Sequence, residues 1–372
     1  MKKKLLYIVN IDTFFLSHRI DIAKKAKKNF TVHIATKFTK YKNYFDKQGM
    51  FTHHLLLDRS SFGLISNLIS FIHIFLLILK IRPNLIHFVS IKPVLLGGIV
   101  SRFYPNISKI FSISGLGYVF IQRDYFSKIR RFFFIFMFKI AFNHKKYKII
   151  FQNLDDIKIL KKSISEKKNV ELIPGSGVSL SKYKPKNINW LNPTIMFASR
   201  MLIHKGIYEF IEAVKILKRD GCNAKYVLVG SIDPGNLSSV SFNEISSWVK
   251  SGLVEYWGYK NNMNKILNLA TIVVLPSYRE GFPKILMEAA SCGRPVVTTN
   301  VPGCKDAISS KTGILVPYKN SKSLAKAIKN LLKNKKKIIQ MSIDSRRHAV
   351  KNFDIKNIIN KNINIYRNLI NK

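Results

Sequence analysis

Short apolar runs alternate with helix-like segments along the whole chain, and this alternation limits the possible folds more than any other feature. The runs are rich in Val and Ile, as parallel strands buried on both faces of a sheet are. In chain order they are KLLYIV, VHIAT, LIHFVS, IFSIS, YKIIFQN, ELIPGS, TIMFASR, YVLVG, LVEYWGY, IVVLP, PVVTT and GILV. Because strands that alternate with helices form βαβ units, the pattern predicts an α/β protein with two doubly wound, Rossmann-like domains.

The polar stretch 179–193, SLSKYKPKNINWLNP, marks the most favourable boundary between these domains. It contains two prolines and clustered Lys and Asn, and a new strand follows it. We therefore expect a first domain over residues 1–178 and a second domain over residues 179–354. The Lys- and Asn-rich tail, 355–372, is typical of an amphipathic helix, which would pack back on the first domain.

The chain is strongly basic, with 63 Lys and Arg against 20 Asp and Glu and a formal net charge of +43. Such a field attracts nucleic acids, anionic lipids and phosphorylated substrates. A lysine-biased proteome explains a high lysine count equally well, so the placement of charges is more informative than their sum. The cations are spread along the chain and no recognition module is present, which argues against a nucleic-acid-binding protein.

The cysteines and the first residues indicate a cytoplasmic protein. The three cysteines form no CxxC pair, which argues against a zinc ribbon and a disulfide framework and fits a reducing compartment. The start of the chain, MKKKLLYIVN, imitates an export signal, but its apolar run covers only residues 5–9. That length favours a first β-strand.

Two segments raise the question of a membrane. Residues 60–79 lack formal charge over about the length that a spanning helix needs, but their serines, Asn67 and His73 favour a helix packed on the first sheet. Residues 127–148 contain an almost uninterrupted apolar stretch, 132–142, flanked on both sides by Lys and Arg. This pattern is typical of a helix in the plane of an anionic membrane interface, although a core helix with solvated ends fits equally well.

Two of the few acidic residues lie close together in the stretch 277–295, SYREGFPKILMEAASCGRP. The strand IVVLP comes just before it, and Pro283 suits the first position of the helix that follows. Glu280 then lies in the loop before a helix N-terminus, and Glu288 lies more than one turn inside the helix. Ligands of doubly wound domains bind at the carboxyl ends of strands, so both carboxylates are candidates for binding hydroxyls of a sugar-bearing nucleotide. A capping Glu280 and a solvated Glu288 are the alternative.

A second strand-to-helix junction contains two cations. Arg200 follows the strand TIMFAS, and Lys205 and Gly206 come shortly after it. Fixed cations near a helix N-terminus are what a diphosphate leaving group needs, because its charge grows as the bond breaks. The backbone amides of Gly281 and Phe282 lie at the predicted helix N-terminus of the other junction, where they are expected to suit an anion or a sugar hydroxyl.

These motifs, together with GSGV at 175–178, VLVG at 227–230 and VPGCKDAI at 301–308, resemble glycosyltransferase family 4 over nearly the whole chain. Members of that family are retaining, nucleotide-sugar-dependent enzymes of the GT-B fold, in which two Rossmann-like domains face each other across a cleft. The resemblance implies that the catalytic residues are Glu280, Arg200 and Lys205, and that the donor is bound by Arg200, Lys205, Gly281, Phe282, Pro283 and Glu288. Arg200 and Lys205 would hold the diphosphate, Glu288 the ribose and Glu280 the transferred sugar.

Three motifs of the first half, FFLSHR (14–19), HFVSIKPVLLGG (87–98) and GLGYVF (115–120), resemble the bacterial subgroup that extends undecaprenyl-diphosphate-linked sugars. N-acetylgalactosaminyltransferases acting on such lipids are the most similar. The resemblance implies a hexosyltransferase that moves a hexose or N-acetylhexosamine from a UDP-sugar to a lipid-diphosphate-linked saccharide, in O-antigen, capsule or related glycan assembly. The enzyme would lie on the inner face of the cell membrane, with residues 127–148 as a contact.

The residues of the first domain that the resemblance implicates in the acceptor site or the cleft are His18, Arg19, His87, Lys92, Gly115 and Gly117. His18 and Arg19 are expected at the start of the first helix. His87 departs from the family pattern, because many members have a second histidine two residues later and here Val89 takes that place. The loop after the first strand also lacks the glycines of many members.

Metal and cofactor requirements follow from the scarcity of acidic pairs. No Asp-x-Asp pair follows a strand, so we expect transfer without a metal or cofactor, with cations of the protein in the metal's place. A different GT-B enzyme, such as a nucleotide-sugar epimerase, is the alternative and needs no lipid acceptor. The Phe-rich segment favours the lipid-dependent interpretation.

Overall fold

A computed structural model describes residues 2–57, 63–117, 120 and 125–371. The chain forms two compact units, one made of Met1–Ser176 and Lys356–Lys372 and the other of Gly177–Ile355. The division at Ser176 falls just before the polar stretch 179–193. Val178 and Asp354 form a parallel bridge, so the chain enters and leaves the second unit at adjacent positions.

The first unit contains a seven-stranded sheet in the order β3-β2-β1-β4-β5-β6-β7, and every described strand pair is parallel. The strands are β1 Lys3–Ile11, β2 Phe30–Lys37, β3 Phe51–His54, β4 Leu85–Val89, β5 Ser108–Ile113, β6 Tyr147–Phe151 and β7 Val170–Leu172. The helices are α1 Asp12–His18, α2 Ile20–Ala26, α3 Lys42–Lys47, α4 Leu64–Ile81, α5 Ile91–Val100, α6 Tyr125–Ala141, α7 Leu154–Leu160 and the tail helix α14 Ile355–Ile370.

Helices cover both faces of this sheet, which is why its strands are apolar throughout. Successive side chains of a strand point to opposite faces, so Leu6 and Ile8 of β1 pack with α4, α5 and α6, whereas Leu5 and Tyr7 pack with α1, α2 and α14. The tail helix therefore completes the core of the first unit. Its Tyr366 is fully buried and shares a hydrogen bond of 2.9 Å with the hydroxyl of Tyr7.

The second unit contains a six-stranded parallel sheet in the order β10-β9-β8-β11-β12-β13. Its strands are β8 Thr194–Ala198, β9 Lys225–Val229, β10 Glu255–Gly258, β11 Ile272–Leu275, β12 Val296–Thr299 and β13 Gly313–Val316. Its helices are α8 Ile207–Arg219, α9 Phe242–Lys250, α10 Met263–Leu267, α11 Lys284–Ser291, α12 Ser321–Leu332 and α13 Lys335–Asn352. Two apolar clusters, one on each face of this sheet, form its core. The prediction of two doubly wound domains is confirmed.

Within the segment 60–79, the described residues 63–79 pack on the first sheet, as the polar residues of the segment predict. Residues 63–79 belong to the described part of the chain, and Ile74 and Ile78 of α4 are buried in the core, whereas residues 60–62 lie outside it. None of the helices formed by the described residues has the length and apolar character needed to cross a membrane.

The helix α6 is partly buried, so neither sequence interpretation describes it completely. Phe138 is buried in the core, whereas Phe132, Phe133 and Phe136 are between 52% and 74% exposed. The apolar stretch therefore has a core side and a solvent side.

The expected start of the first helix is wrong. The helix α1 begins at Asp12 directly after β1, so His18 is its last residue and Arg19 lies between α1 and α2. The buried carboxylate of Asp12 explains this early start, because it accepts hydrogen bonds from the backbone N–H groups of residues 39–41 and fixes the chain at the end of β1.

Candidate functional site

The loops after β8 and β11 meet because these two strands are neighbours in the second sheet. Gly206, in the loop after β8, has φ +80°, and a Cβ atom there would lie 2.1 Å from the carbonyl oxygen of Pro276. Only glycine permits so close an approach in this backbone conformation. The N–H of Tyr278 donates to the carbonyl of His204 at 3.0 Å and fastens the two loops together. Lys205 is thereby held over the loop that contains Glu280.

Lys205 and Glu280 form a salt bridge of 2.5 Å between Nζ and Oε1. Ser277 donates its hydroxyl proton to the same carboxylate oxygen at 2.7 Å. The side chains of Lys205 and Glu280 are 17% and 12% exposed, so the pair is largely shielded from water and its electrostatic field is correspondingly strong. The sequence identifies both residues as ligand-binding candidates, and the structure places them in direct contact.

The loop after β12 supports the backbone around Glu280. The N–H of Glu280 donates to the carbonyl of Pro302 at 3.1 Å. A Cβ atom at Gly303 would lie 2.6 Å from the carbonyl oxygen of Glu280, so glycine is required for this contact. The next residue, Cys304, is fully buried, and burial raises the pKa of its thiol to about 12. The thiol is therefore neutral near Glu280.

Arg200 follows β8, and its guanidinium Nη1 lies 2.5 Å from a carboxylate oxygen of Asp233. Both side chains are about one-third exposed, at 32% and 30%. No motif of the sequence indicated Asp233, which lies in the loop after β9. Two features could have indicated Asp233. Acids are scarce in this chain, as for Glu280 and Glu288, and Asp233 follows the carboxyl end of a strand.

Glu288 lies on the inner side of α11 and is 7% exposed, so the alternative of a solvated Glu288 is wrong. Tyr183 donates its hydroxyl proton to Oε1 of Glu288 at 2.7 Å, and Nζ of Lys284 lies 3.8 Å from the same oxygen. Burial raises the pKa of the Glu288 carboxyl, and the charge of Lys284 opposes that shift. Tyr183 is a second partner that the sequence did not indicate.

The helix α11 follows the predicted course with a small shift at its start. It ends at Ser291, and Gly293 adopts φ +64°, as expected for a residue just after a helix. Pro283 is the N-cap residue, one position before the helix, and not the first helical residue. Phe282 is 8% exposed, and its ring packs edge-on against Phe353 at 5.7 Å. The backbone before α11 is thus anchored in the core.

His87 lies in the interior of the first unit, which corrects the expectation of an acceptor or cleft position. It is fully buried; its Nδ1 lies 2.8 Å from the hydroxyl oxygen of Tyr366, and its Nε2 lies 2.6 Å from that of Ser112. Burial lowers the pKa of His87 well below its usual value of 6.5. Both ring nitrogens are used within the core, so the residue connects β4, β5 and α14.

The other candidates of the first unit lie closer to strand ends or helix ends. The ring of His18 stacks on Phe14 with centroids 4.2 Å apart. Arg19 is 4% exposed, its Nε has no hydrogen-bond partner among the described residues, and burial lowers its pKa. Lys92 lies in the first turn of α5, directly after β4.

Gly115 and Gly117 follow the neighbouring strand β5 with φ values of +115° and +69°. Both values are permitted for glycine and disfavoured for other residues. Of the four other residues of the GLGYVF motif, Tyr118 and Val119 lie outside the described part of the chain.

A metal site is not apparent in residues 2–57, 63–117, 120 and 125–371, where no three His, Cys, Asp or Glu side chains are grouped to hold an ion. The expectation of metal-independent chemistry stays a prediction.

Two protein families match this chain. The family described as "Glycosyl transferase 4-like" matches residues 4–153, and the family described as "Glycosyl transferases group 1" matches residues 192–334. Together they cover most of both units.

Curated relatives give the same result over most of their length. An N,N'-diacetylbacillosaminyl-diphospho-undecaprenol alpha-1,3-N-acetylgalactosaminyltransferase of Campylobacter jejuni is 29% identical over 73% of this chain and 74% of its own. The capsular polysaccharide biosynthesis glycosyltransferase CapM of Staphylococcus aureus is 26% identical over 89% of this chain and 88% of its own. Among solved structures, HepE of Anabaena, in complex with UDP and glucose, has a TM-score of 0.76 at 17% identity and covers 98% and 99% of the two chains.

Proposed function

The chain belongs to the glycosyltransferases of the GT-B fold, with a 4-like first domain and a group 1 second domain, and from this premise we propose that it transfers a hexose or N-acetylhexosamine from a UDP-sugar to a lipid-diphosphate-linked saccharide, with retention. The observation that carries the proposal is the cluster of Arg200, Lys205 and Glu280 at the carboxyl ends of adjacent strands. The names of the relatives, which include undecaprenol-linked acceptors, support the choice of acceptor.

The donor diphosphate binds between Arg200 and Lys205 in this proposal. Both cations follow β8 within a short turn, and Lys205 is fixed by Glu280 and the Gly206 contact described above. Charge develops on the diphosphate as the bond to the sugar breaks, and cations that are already in position stabilise that charge without reorganisation. Cations of the protein thus take the role that a metal has in other transferases, and no cofactor is needed.

The two glutamates contact different parts of the donor. Glu288 is buried in α11 and accepts a hydrogen bond from Tyr183, an arrangement that holds its carboxylate rigidly for the ribose hydroxyls. Glu280 lies in the loop, beside Lys205, and binds the transferred sugar together with the amides of Gly281 and Phe282. The acceptor hydroxyl attacks the anomeric carbon on the face from which the diphosphate leaves. The new C–O bond forms as the old one breaks, and the departing phosphate oxygen takes the proton.

The acceptor belongs to the first unit, where Arg19 is the strongest of the predicted contacts. Its guanidinium is 4% exposed, and in the part of the chain that the structure describes its Nε has no hydrogen-bond partner. Such a group is suited to a phosphate of the lipid-linked acceptor. Lys92 follows β4, and Gly115 and Gly117 follow β5. They lie at the carboxyl ends of these strands, where ligands of doubly wound domains bind. His87 is not part of this proposal because both of its ring nitrogens bind core residues.

The enzyme reaches its lipid acceptor as a peripheral protein on the inner face of the cell membrane. Two helices on the same face of the first sheet support this part of the proposal. On α6, Ile129, Phe132, Phe133 and Phe136 are exposed beside the exposed cations Lys128, Arg130 and Lys139. On α4, every exposed side chain between residues 65 and 79 is Ile or Leu. Apolar faces flanked by cations suit an anionic bilayer interface.

The function is tested by a screen of UDP- and GDP-sugars for protection against thermal unfolding, followed by a transfer assay with undecaprenyl-diphosphate-linked saccharides. We expect one UDP-sugar to raise the melting temperature and to be consumed only when the lipid acceptor is present. Conversion of the nucleotide sugar without an acceptor would instead identify an epimerase. Protection by no nucleotide sugar would refute the proposal.

The membrane contact is tested by flotation with vesicles of phosphatidylglycerol and phosphatidylcholine. A variant with Phe132, Phe133 and Phe136 changed to Ser should float less than the wild type. Salt should weaken the binding of the wild type to vesicles without abolishing it, because salt does not screen apolar burial. Phe242→Ser, an equally exposed phenylalanine of the second unit, is the matched control. Flotation of the triple variant at the wild-type level would refute α6 as the membrane contact.

A further inference from the structure

We infer that Asp233 competes with the donor diphosphate for the guanidinium of Arg200 and so sets the affinity of the site for nucleoside diphosphates. The inference rests on the proposed function, because it takes Arg200 as a diphosphate ligand. The pair is joined at 2.5 Å between Nη1 of Arg200 and Oδ2 of Asp233. Because the chain has 20 acids and 63 bases, its carboxylates are too few to pair with most of its cations, and Arg200 is one of the cations that has such a partner.

A carboxylate and a phosphate group make the same demand on a guanidinium. Both present two or more oxygens to its planar set of N–H donors. A phosphate bound at Arg200 would also bring its negative charge close to Asp233, and like charges at such a distance repel. Asp233 and the diphosphate therefore exclude each other, at least in part, at this cation.

The environment of Asp233 permits it to leave Arg200 at small cost. Among the described residues its carboxylate has no other hydrogen-bond partner, and its side chain is 30% exposed, so water can replace the guanidinium. Glu280 differs in this respect, because its carboxylate binds both Lys205 and Ser277 and is 12% exposed. Of the two ion pairs, the one at Arg200 is the one that opens.

The loop that contains Asp233 is attached at both ends to the segment after β8, and hydrogen bonds within it hold its backbone. The N–H of Met201 donates to the carbonyl of Ser231 at 2.9 Å, and the N–H of Ile203 donates to the carbonyl of Ser238 at 2.8 Å. Between these anchors, a Cβ atom added at Gly235 would meet no atom within 4 Å. The backbone of Asp233 is itself held, because its N–H donates to Oγ of Ser239 at 3.1 Å and its carbonyl accepts from the N–H of Asn236 at 2.9 Å. The carboxylate therefore leaves Arg200 by rotation of its side chain while the loop keeps its place.

The consequence for the reaction is faster exchange of the nucleotide. Because Asp233 takes back the guanidinium as the diphosphate leaves, it lowers the affinity for the product UDP as well as for the donor. Asp233→Asn keeps the shape of the side chain and removes its charge. Its affinity for UDP should rise about two- to fivefold, the range expected for one partly exposed ion pair.

Calorimetry with UDP, GDP and uridine tests the inference on the wild type, Asp233→Asn, Arg200→Gln and the double variant at one ionic strength. Asp220→Asn is the matched control, because Asp220 and Lys329 form an ion pair of 2.7 Å with similar exposure. We expect tighter UDP binding in Asp233→Asn alone, weaker binding in Arg200→Gln, and no effect of Asp233→Asn in the Arg200→Gln background. Uridine, which lacks phosphate, should bind Asp233→Asn and wild type equally.

The outcomes separate the two levels of the argument. If Arg200→Gln binds UDP and GDP as the wild type does, the diphosphate role of Arg200 is wrong, and the inference is wrong with it. If Arg200→Gln weakens binding but Asp233→Asn leaves it equal or weaker, Asp233 only positions Arg200, and the competition is refuted while the proposed function stands. Binding of neither nucleotide by the folded wild type would overturn both.

Discussion

The predicted functional residues of the two units lie in different environments. In the second unit, Lys205 and Glu280 follow neighbouring strands and form a salt bridge that is largely shielded from water. In the first unit, His87 lies within β4 and is fully buried between Ser112 and Tyr366. The difference teaches that the position of a residue relative to the end of its strand, more than its chemical type, predicts whether its side chain lies in a loop or in the core. A polar residue inside a strand that helices cover on both faces belongs to the core.

The largest effect that could break this comparison is expected at Lys205. Lys205→Ala should lower the rate of sugar transfer about a hundredfold or more, because a fixed cation is lost where charge develops in the transition state. The measurement is kcat with the lipid-linked acceptor, and circular dichroism shows whether the fold is intact. Lys329→Ala, which removes a lysine from an ion pair elsewhere in the same unit, should remain active. Near-normal transfer by Lys205→Ala would show that Lys205 has no role in the reaction, although it lies just after the end of a strand.

His87 provides the second test, on the opposite side of the comparison. His87→Leu should lower the free energy of unfolding by about 1–3 kcal/mol, because the hydroxyls of Tyr366 and Ser112 lose a buried partner. The transfer rate of the folded variant should stay near that of the wild type. Urea denaturation and kcat measure the two effects. A large fall in kcat with little loss of stability would place His87 in the active site after all.

The same variant predicts a change in pH dependence. Burial holds the pKa of His87 in the folded protein well below 6.5, so the folded state keeps the ring neutral while the unfolded state takes up a proton as the pH falls. The stability that this residue contributes is present above about pH 6.5 and decreases below it. His87→Leu should therefore lose less stability than the wild type between pH 6.5 and pH 5.

The smallest expected effect sharpens the division of roles within the second unit. Glu288→Ala should weaken UDP binding about tenfold, which corresponds to the loss of a charge-assisted hydrogen bond to the ribose. Glu280→Ala should bind UDP nearly as the wild type does but transfer sugar poorly. Calorimetry and kcat on both variants decide the matter. Equal losses of UDP affinity in the two variants would show that the roles are wrongly divided.

The sequence predicted most of the architecture because apolar runs report burial directly. Each of the apolar runs corresponds to a strand of one of the two parallel sheets. The strand β3, Phe51–His54, was missed because it has two histidines and no buried residue, as an edge strand can. Burial is the property that the pattern records, so an exposed strand leaves no such pattern.

The sequence indicates candidate residues for the site, but it does not indicate which side chains contact each other. The sequence predicts Arg200, Lys205 and Glu280 in loops just after strands, and in the structure they follow β8 and β11. Their roles in binding and catalysis stay predictions. The pairing of Arg200 with Asp233 depends on a loop conformation that no periodicity records. The burial of Arg19 could not be predicted either, because it depends on where α1 ends and α2 begins. Long-range packing decides such details, and local sequence does not contain them.

The hydrogen bond between Tyr7 and Tyr366 joins residues that are 359 positions apart, and the whole second unit lies between them in sequence. On the ribosome, the first sheet therefore emerges long before α14, one of the helices that pack on the Tyr7 face of that sheet. The second unit is continuous in sequence and can fold as it emerges. The core of the first unit stays incomplete until α14 emerges, and Tyr7 lacks its partner Tyr366 until then. Closing so long a loop is slow, although each doubling of its length adds only about 0.6 kcal/mol of entropy cost. During synthesis, the first half of this chain is thus the half that most needs chaperones.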